Sequence, residues 1–172
     1  MILSNEYGID PGSYAIKIYD RDNERFYSDH NALACDMAGH VIAYGQSAYE
    51  MKGSTPRSIT IKNSVQAGKI TDVLLLEAII EPLLYRDRRF LGIRPSIYFS
   101  VPADMTEIER RAYASISKRG KLKNCNVFLV ERAFADAFAL GLSVKDAKGI
   151  MVLNIGSSQT TASVSSNGRI IL

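Results

Sequence analysis

The sequence predicts an α/β protein with strand hairpins at both ends and helices between them. Near the start, apolar and polar residues alternate on both sides of a glycine-containing turn, in "YGIDPGSYAIKIYD" (residues 7–20). Near the end, in "VLNIGSSQTTASV" (residues 152–164), an apolar strand runs into a turn of small residues and a second strand runs out. Strand patterns on both sides of a tight turn predict that each stretch is a hairpin.

The length and composition allow one sizeable core with a small appended subdomain. The chain has 172 residues, of which 47% are hydrophobic, and a formal net charge of +3. Its basic residues form no concentrated stripe, so nucleic-acid binding is not predicted. Cys35 and Cys125 lack metal-type spacing, which indicates reduced thiols of a cytosolic protein. The longest apolar stretch, "DVLLLEAIIEPLLY", is interrupted by Glu77, Glu81 and Pro82 and is not expected to span a bilayer.

Short strands and one short helix are predicted after the first hairpin. "ERFYSDHNALACD" and "HVIAYG" have strand composition and are joined by the turn "DMAGH". "QSAYEMKG" is typical of a helix that stops at Gly53, and "PRSITIKN" is predicted to return as a strand. These short elements interrupt the larger pattern, so we expect a small subdomain inserted into a larger one.

Three longer helices are predicted in the rest of the chain. Asp72 can cap a helix that runs to about Arg88 and bends at its proline. Thr106 and Glu109 have the spacing of a capping box, and the helix that they begin is expected to end at Gly120. This helix follows the buried strand "RPSIYFSVP", and the helix "RAFADAFALG" follows the strand "NVFLVE".

The two glycine-containing turns are candidate phosphate sites. A tight turn of small residues exposes backbone N–H groups, which bind phosphate oxygens without a charged side chain. Gly12 lets the backbone approach a phosphate, and Ser13 adds a hydroxyl donor. Asp10 repels phosphate, so its role would be to hold a hydrated Mg²⁺ that neutralises the phosphates. The alternative is that Asp10 only braces its turn.

Several stretches spread along the chain carry a resemblance to a known family. They are "YGIDPGS", "VIAYGQSAYEMKGSTPRSI", "VPADMTEIERRA", "FLVERAFADAFALGL" and "VLNIGSSQTTASV". Together they resemble the actin-like ATPase superfamily and, within it, the MreB family of bacterial rod-shape proteins. The first and last stretches are similar to the two phosphate motifs, the fourth is similar to the catalytic helix, and "VPADMTEIERRA" is the most specific match.

The resemblance implies an actin-like ATPase (ribonuclease H-like) fold, in which a mixed sheet is flanked by helices and carries a small inserted subdomain. Residues 1–172 would form the N-terminal half of that fold. The larger subdomain would hold residues 1–26 and 66–172, and the inserted one residues 27–65. The family's adenosine-contacting second half is expected to follow "GRIIL".

The resemblance also implies ATP and Mg²⁺ as cofactors and assigns roles to particular residues. Asp10 would hold Mg²⁺ through water, and Asp10, Glu131 and Asn154 would stand at catalytic positions. Two turns that share one phosphate must face each other across a cleft. The residues expected to bind the phosphates are Gly12, Ser13, Gly156, Ser157, Ser158 and Gln159.

The second phosphate motif departs from the family pattern. Family members read like "DIGGGTTE", whereas this chain reads "NIGSSQTT". Asn154 replaces an acid that helps to order the water shell of the metal, so a charge beside Mg²⁺ is lost. Ser157 and Ser158 add Cβ atoms where backbone must approach phosphate. Gln159 replaces a hydroxyl residue, and Thr161 replaces a glutamate.

The catalytic helix departs as well. The family reads like "IEEPMAAA", where the second glutamate positions the attacking water, and the match here is "VERAFADA". This register puts Arg132 at the water-positioning place, while a register shifted by one residue leaves Glu131 as the relevant acid. An arginine stabilises phosphate charge but offers no acceptor to water. We therefore expect ATP binding to survive better than hydrolysis.

The expected function is that of an MreB-like cytoskeletal protein that binds ATP, forms filaments and organises cell shape, with weakened hydrolysis. The alternative is a catalytically degenerate actin-like interaction module that acts as a scaffold without nucleotide turnover. A carbohydrate-kinase or chaperone half is disfavoured, because no sugar-site acid or chaperone signature is present. The expected partners are further copies of the chain and cell-wall synthesis proteins. The expected location is the cytoplasm, with peripheral contact at the inner membrane face.

Overall fold

The computed structural model describes residues 5–85, 94–143, 145 and 149–171. The strands within these ranges are β1 (Glu6–Pro11), β2 (Ala15–Asp20), β3 (Arg25–His30), β4 (Leu33–Cys35), β5 (Val41–Tyr44), β6 (Thr60–Lys62), β7 (Val65–Gln66), β8 (Lys69–Ile70), β9 (Ser96–Val101), β10 (Asn126–Glu131), β11 (Ile150–Ile155), β12 (Thr160–Ser166) and β13 (Arg169–Ile170). The helices are α1 (Gly45–Glu50), α2 (Val73–Leu84), α3 (Glu107–Ser115) and α4 (Arg132–Ala139), with a 3-10 helix at Ile116–Lys118.

Five strands form the main sheet, in the spatial order β10-β9-β1-β2-β3. β1 runs antiparallel to β2 and parallel to β9, and β9 runs parallel to β10. β3 continues the sheet antiparallel to β2, with Ala15 opposite His30 and Asp20 opposite Arg25. The sheet is therefore mixed, and the first predicted hairpin is β1–β2.

α2 packs on the buried face of the main sheet and supplies much of the core. Leu76, Ile79 and Ile80 are fully buried at the three- and four-residue spacing that gives a helix one apolar face. The helix begins at Asp72, whose side chain accepts a hydrogen bond from the Leu74 N–H at 2.8 Å. No helix in the described ranges is long and apolar enough to cross a membrane. The residues that β1, β2 and β9 add to the same core are Tyr7, Ile9, Ile16, Ile18, Ile97, Phe99 and Val101.

A small three-stranded sheet, ordered β5-β4-β6, and α1 form a second packing unit. Its centre consists of the buried alanines Ala32, Ala34 and Ala48. Small side chains let α1 approach β4 closely, so a unit of few residues can still exclude water.

One predicted strand is two strands in the structure. "ERFYSDHNALACD" was expected to run as one, but β3 ends at His30 and β4 begins at Leu33. Between them lies Asn31, which is 1% exposed and whose side chain bonds to other segments of the chain. β3 pairs with the main sheet and β4 with the small one, so the main sheet continues past the boundary placed at residue 26. The division into two subdomains stays a prediction.

Three further differences concern a turn and two helix ends. The hairpin β7–β8 was not predicted; its turn places Ala67 and Gly68 at φ values of 49° and 74°, in the left-handed region. α3 ends at Ser115 and passes into the 3-10 helix before Gly120. α2 runs on to Leu84, and the end predicted near Arg88 lies outside the described residues.

The last three strands form a separate sheet, ordered β11-β12-β13. β11 and β12 make the second predicted hairpin, with Asn154 opposite Thr161. Met151, Leu153 and Ile155 alternate along β11 and share one of its faces, where they are 69%, 57% and 75% exposed. β11 therefore presents an apolar strip to solvent.

α3 begins with the predicted capping box. The Thr106 hydroxyl oxygen accepts a hydrogen bond from the Glu109 N–H at 3.3 Å, and the Thr106 N–H donates to the Glu109 carboxylate at 2.7 Å. Two N–H groups that the first turn leaves without helical partners are thereby satisfied. The Thr106 hydroxyl also donates to the Glu109 carboxylate, at 2.7 Å. The Thr106 N–H and this hydroxyl hold the pKa of Glu109 below its ordinary value, because they stabilise the charged carboxylate.

We expect Thr106→Ala to lower the free energy of unfolding by about 1 kcal/mol at neutral pH, because it removes the acceptor at the start of α3. The lowered pKa of Glu109 contributes stability above the ordinary pKa of glutamate, and this contribution is lost as the pH falls through the lowered value. Thr106→Ala removes the hydroxyl's part of this contribution and keeps the part from the backbone N–H, so the deficit of the variant should shrink in acid without vanishing. Urea unfolding from neutral pH down to below the lowered pKa of Glu109 measures both effects.

Ser58→Ala is the control for this substitution, since Ser58 is exposed and lies outside the helices and strands. It should change the free energy of unfolding by less than about 0.5 kcal/mol. Equal losses in the two variants would contradict the capping argument.

Candidate functional site

The turn of the first hairpin is closed by its own backbone. The Gly12 N–H donates to the carbonyl oxygens of Asp10 and Ala15 at 3.0 and 3.1 Å. A Cβ at position 12 would lie 2.6 Å from the Ala15 carbonyl oxygen, which is closer than atoms can pack. Closure of the turn thus accounts for glycine at this position, whether or not a phosphate approaches it.

The turn of the second hairpin is built in the same way. The Gly156 N–H donates to the Gln159 carbonyl oxygen at 2.9 Å, and a Cβ at position 156 would lie 2.9 Å from that oxygen. The glycine N–H groups of both turns are therefore used inside the hairpins. The N–H groups of the serines that follow, Ser13 in the first turn and Ser157 and Ser158 in the second, donate to no backbone carbonyl within the described ranges.

The two turns face each other, as the sequence analysis predicted. The Ser158 hydroxyl donates to the Ser13 hydroxyl at 2.7 Å, across 145 positions of sequence. Around this contact lies a cleft of about 280 Å³. Eight of the nine predicted site residues line it, namely Asp10, Gly12, Ser13, Asn154, Gly156, Ser157, Ser158 and Gln159.

The ninth predicted residue, Glu131, is not among the residues that line the cleft, whereas Arg132 is. Glu131 ends β10 and precedes α4, and its side chain makes no capping hydrogen bond there. Arg132 opens α4, and only 19% of its side chain is exposed. The choice between Arg132 and Glu131 at the water-positioning place stays a prediction.

Asp10 lies between two cations of the protein itself. Its carboxylate is 3.1 Å from the Lys17 ammonium and 3.8 Å from the Arg132 guanidinium. The Lys17 contact follows from strand register, because Asp10 and Lys17 are direct partners in the β1–β2 ladder. The charge of Asp10 is therefore balanced without a bound ion.

Asn154 points to a partner that the sequence did not reveal. Its side-chain N–H donates to the Asp136 carboxylate of α4 at 2.7 Å. An acid at position 154 would bring two carboxylates together at this distance. The amide is therefore the side chain that suits Asp136, and it ties the second hairpin to α4.

The residues that line the cleft fit a divalent cation poorly. Mg²⁺ binds through one or two carboxylates together with phosphate oxygens and water. Asp10 is the only carboxylate among the residues lining the cleft, and two cations already accompany it. The described residues also contain no cluster of three or more histidines, cysteines or carboxylates that would hold a metal.

The first turn rests on the buried side chain of Asn31, which sequence reasoning missed. The Asn31 side-chain N–H₂ donates to the carbonyl oxygens of Gly12 and Val65 at 3.0 and 2.9 Å. Its oxygen accepts from the Ser64 N–H at 2.9 Å and the Ser64 hydroxyl at 2.7 Å. Asn31 thus fixes the first turn to the segment before β7.

A larger cavity of about 620 Å³ adjoins the cleft and shares the serines of both turns with it. An aromatic stack stands beside it: the His30 ring lies 4.0 Å from the Tyr49 ring at 6°, and Tyr14 meets His30 edge-on at 4.8 Å. The three rings come from β3, α1 and the first turn. No local pattern brings them together, so the sequence carried no signal for the stack.

Comparisons with known proteins show the family of the chain. The sequence model of the family described as MreB/Mbl protein matches residues 4–172. The chain belongs to the MreB/Mbl family. The cell shape-determining protein MreB of Escherichia coli (strain K12) is 30% identical over 175 residues, which cover 97% of this chain and 50% of that protein. The cell shape-determining protein Mbl of Bacillus subtilis (strain 168) is 26% identical over 99% of this chain and 51% of its own length.

Solved structures of the MreB/Mbl family show the same fold. MreB5 of Spiroplasma citri, in a crystal structure bound to ADP, superposes with a TM-score of 0.87 at 21% identity, over 99% of this chain and 51% of that one. Its structure bound to AMPPNP gives the same TM-score at 22% identity. The predicted actin-like fold is thus confirmed. The chain spans about half the length of the curated relatives that it matches.

We expect Asn31→Ala to lower the free energy of unfolding by roughly 2–4 kcal/mol, because several buried polar groups lose their partner together. Asn31→Asp should cost more, since it sets a carboxylate against the carbonyls of Gly12 and Val65. Chemical unfolding measures both losses. Asn126→Ala is the control: Asn126 is exposed, and its replacement should change stability by less than about 0.5 kcal/mol. A loss for Asn31→Ala no larger than for this control would show that the amide does not hold the turn.

We expect Asn154→Asp to destabilise the fold at neutral pH by about 1–3 kcal/mol, because it replaces a donor to Asp136 with a second carboxylate. Adding Asp136→Asn should restore most of the loss, since the new amide can donate to the new carboxylate. Asp136→Asn alone leaves two amides, which still bond to each other. It should therefore destabilise the fold less than Asn154→Asp does. Thermal unfolding of the four proteins completes the cycle. Additive effects of the two substitutions would rule out the direct contact.

Proposed function

We propose that this chain binds the phosphates of ATP between its two hairpin turns and takes part in MreB-like filaments that organise cell shape. The observation that carries the proposal is the direct meeting of the Ser13 and Ser158 turns across the cleft. Membership of the MreB/Mbl family and the nucleotide-bound crystal structures of MreB5 add support. Because the chain matches half the length of its relatives, ATP would be held by this cleft together with whatever packs on its open side.

Chemically, the cleft suits phosphate. Ser13, Ser157 and Ser158 each offer a hydroxyl and a backbone N–H at a turn, and small turns of this kind form concavities for anions. Arg132 adds a guanidinium, whose flat array of donors matches phosphate oxygens. The bond between the Ser13 and Ser158 hydroxyls must open when phosphate enters, because it spans the space between the turns.

We propose that hydrolysis is weak. A catalytic site for phosphoryl transfer needs a group that orients the attacking water and a charge arrangement matched to the transition state. Arg132 cannot accept a hydrogen bond from water, and the Asn154 side chain is engaged with Asp136. ATP would therefore be held with little turnover.

Self-association is proposed on a separate observation. The apolar strip on β11, formed by Met151, Leu153 and Ile155, is exposed, and exposed contiguous apolar surface favours association. Filaments of this kind would lie in the cytoplasm, peripheral to the inner membrane, with cell-wall synthesis proteins as further partners. These assignments rest on the family resemblance.

The alternative function is a degenerate actin-like scaffold that assembles or recruits partners without nucleotide turnover. The observation that favours it is the pair of changed positions: Arg132 pairs with Asp10, and Asn154 pairs with Asp136. The two functions share the fold and the apolar strip on β11. They differ in whether ATP occupies the cleft.

We expect the protein encoded by the gene to bind ATP and Ser13→Asp to weaken that binding by at least about tenfold, because a carboxylate at the turn repels phosphate. Isothermal titration calorimetry measures the affinity. The matched control is Ser58→Asp, which adds the same charge at a residue that does not line the cleft. It should bind ATP as the unchanged protein does.

ATP binding separates the two functions, and steady-state turnover measured on the same samples tests whether hydrolysis is weak. Binding with little phosphate release supports the proposal, whereas no binding by the unchanged protein supports the scaffold. Affinity that Ser13→Asp leaves unchanged would place the nucleotide somewhere other than between the turns.

A further inference from the structure

The cleft carries more fixed positive charge than negative charge. Asp10 is its only lining carboxylate, and Lys17 and Arg132 both line the cleft and both approach that carboxylate. In the free protein a divalent cation at Asp10 would have two cations as close neighbours, and like charges at such distances repel strongly. A phosphate meets the opposite situation, since both cations attract it.

Arg132 has donors left over for a ligand. Its Nη2 faces Asp10 at 3.8 Å, which is longer than a hydrogen bond. Its Nε is buried and has no hydrogen-bond partner among the described residues. A buried polar group without a partner is uncommon, and a guanidinium has five N–H donors in a plane that fits phosphate. Because Nε is closed off from solvent, the Nη donors are the ones that an anion in the cleft would reach.

The Arg132 side chain is also held in place. The turn of β7–β8 lies against it, since a Cβ at Gly68 would be 3.7 Å from an Arg132 Nη and 3.1 Å from the Gln159 side chain. Gly68 has a φ of 74°, so this tight turn favours glycine. A guanidinium confined in this way is prepared for a ligand before it binds, and binding then restricts it little further.

We infer that the cleft binds the oxygens of a nucleoside polyphosphate through the Arg132 and Lys17 side chains and needs no divalent cation to do so. The inference rests on the proposed function, because it concerns the same cleft. The two side chains supply the positive charge that Mg²⁺ would otherwise bring to the phosphates. Asp10 then serves to hold the two cations near each other rather than to hold a metal.

The first experiment compares ATP binding with and without metal. The protein encoded by its gene is titrated with ATP in excess EDTA and again in excess MgCl₂, and calorimetry gives both affinities. We expect the two dissociation constants to agree within about threefold, because the protein carries the charge itself. Binding that is more than about tenfold tighter in MgCl₂ overturns the inference and leaves the proposed function standing. The absence of binding in both buffers overturns both.

The second experiment tests whether Arg132 accounts for ATP binding without a divalent cation. Arg132→Gln should weaken ATP binding in EDTA by about tenfold or more, since charge-assisted hydrogen bonds to phosphate are lost. In MgCl₂ the loss should be smaller, because Asp10 is then free of one cation. Metal dependence that appears only in this variant is a readout that a general folding defect would not produce. Equal losses in both buffers would contradict the assignment.

Two further variants keep the test decisive. Lys17→Gln changes a side chain that is 51% exposed, so the fold should tolerate it, and ATP binding in EDTA should weaken by about threefold. Arg111→Gln is the matched control for Arg132, because Arg111 is 80% exposed on α3 and does not line the cleft. It should leave the EDTA affinity unchanged. An unchanged affinity in Lys17→Gln together with an unchanged affinity in Arg132→Gln would overturn the inference.

Discussion

Asn31 buries a side-chain amide at the junction of the two packing units. It stands between β3 of the main sheet and β4 of the small one, and it bonds to the first turn at Gly12, to Val65 and to Ser64. The Val65 carbonyl and the N–H and hydroxyl of Ser64 would lose this buried partner if the amide were removed, and unpaired polar groups are costly to bury. The position of the first turn, and with it the side of the cleft that carries Asp10, depends on this contact.

The parts of the structure that follow from local rules could be predicted from the sequence. Strand patterns around a glycine turn predicted both hairpins, and the Thr106–Glu109 spacing predicted a capping box that the structure contains. The meeting of the turns was predicted from a chemical argument about a shared phosphate. Each of these predictions used residues a few positions apart, or one ligand that two motifs must share.

The parts that depend on contacts between distant residues could not be predicted. Asn31 reads as an ordinary strand residue until the segments around it are folded together. Asp136 looks like one more polar position on α4, although it decides which side chain suits position 154. The turn at Ala67 and Gly68 has no apolar flanks long enough to mark it, since its strands have two residues each. Tertiary packing, rather than propensity, determines all three.

The residues at positions 132 and 154 change the charge of the cleft in the same direction. An arginine at position 132 supplies a positive charge near Asp10, and an amide at position 154 removes a negative charge from the neighbourhood of Asp136. Both changes shift the cleft toward fixed positive charge, which favours a bound anion. Arg132 provides no acceptor that could orient water, and Asn154 provides no charge. On the proposed function, the interactions with phosphate would therefore be similar in the ground state and in the transition state, and uniform binding of this kind holds a ligand without accelerating its reaction. A protein that uses bound nucleotide only to fix its own conformation needs to bind the nucleotide and does not need to hydrolyse it quickly.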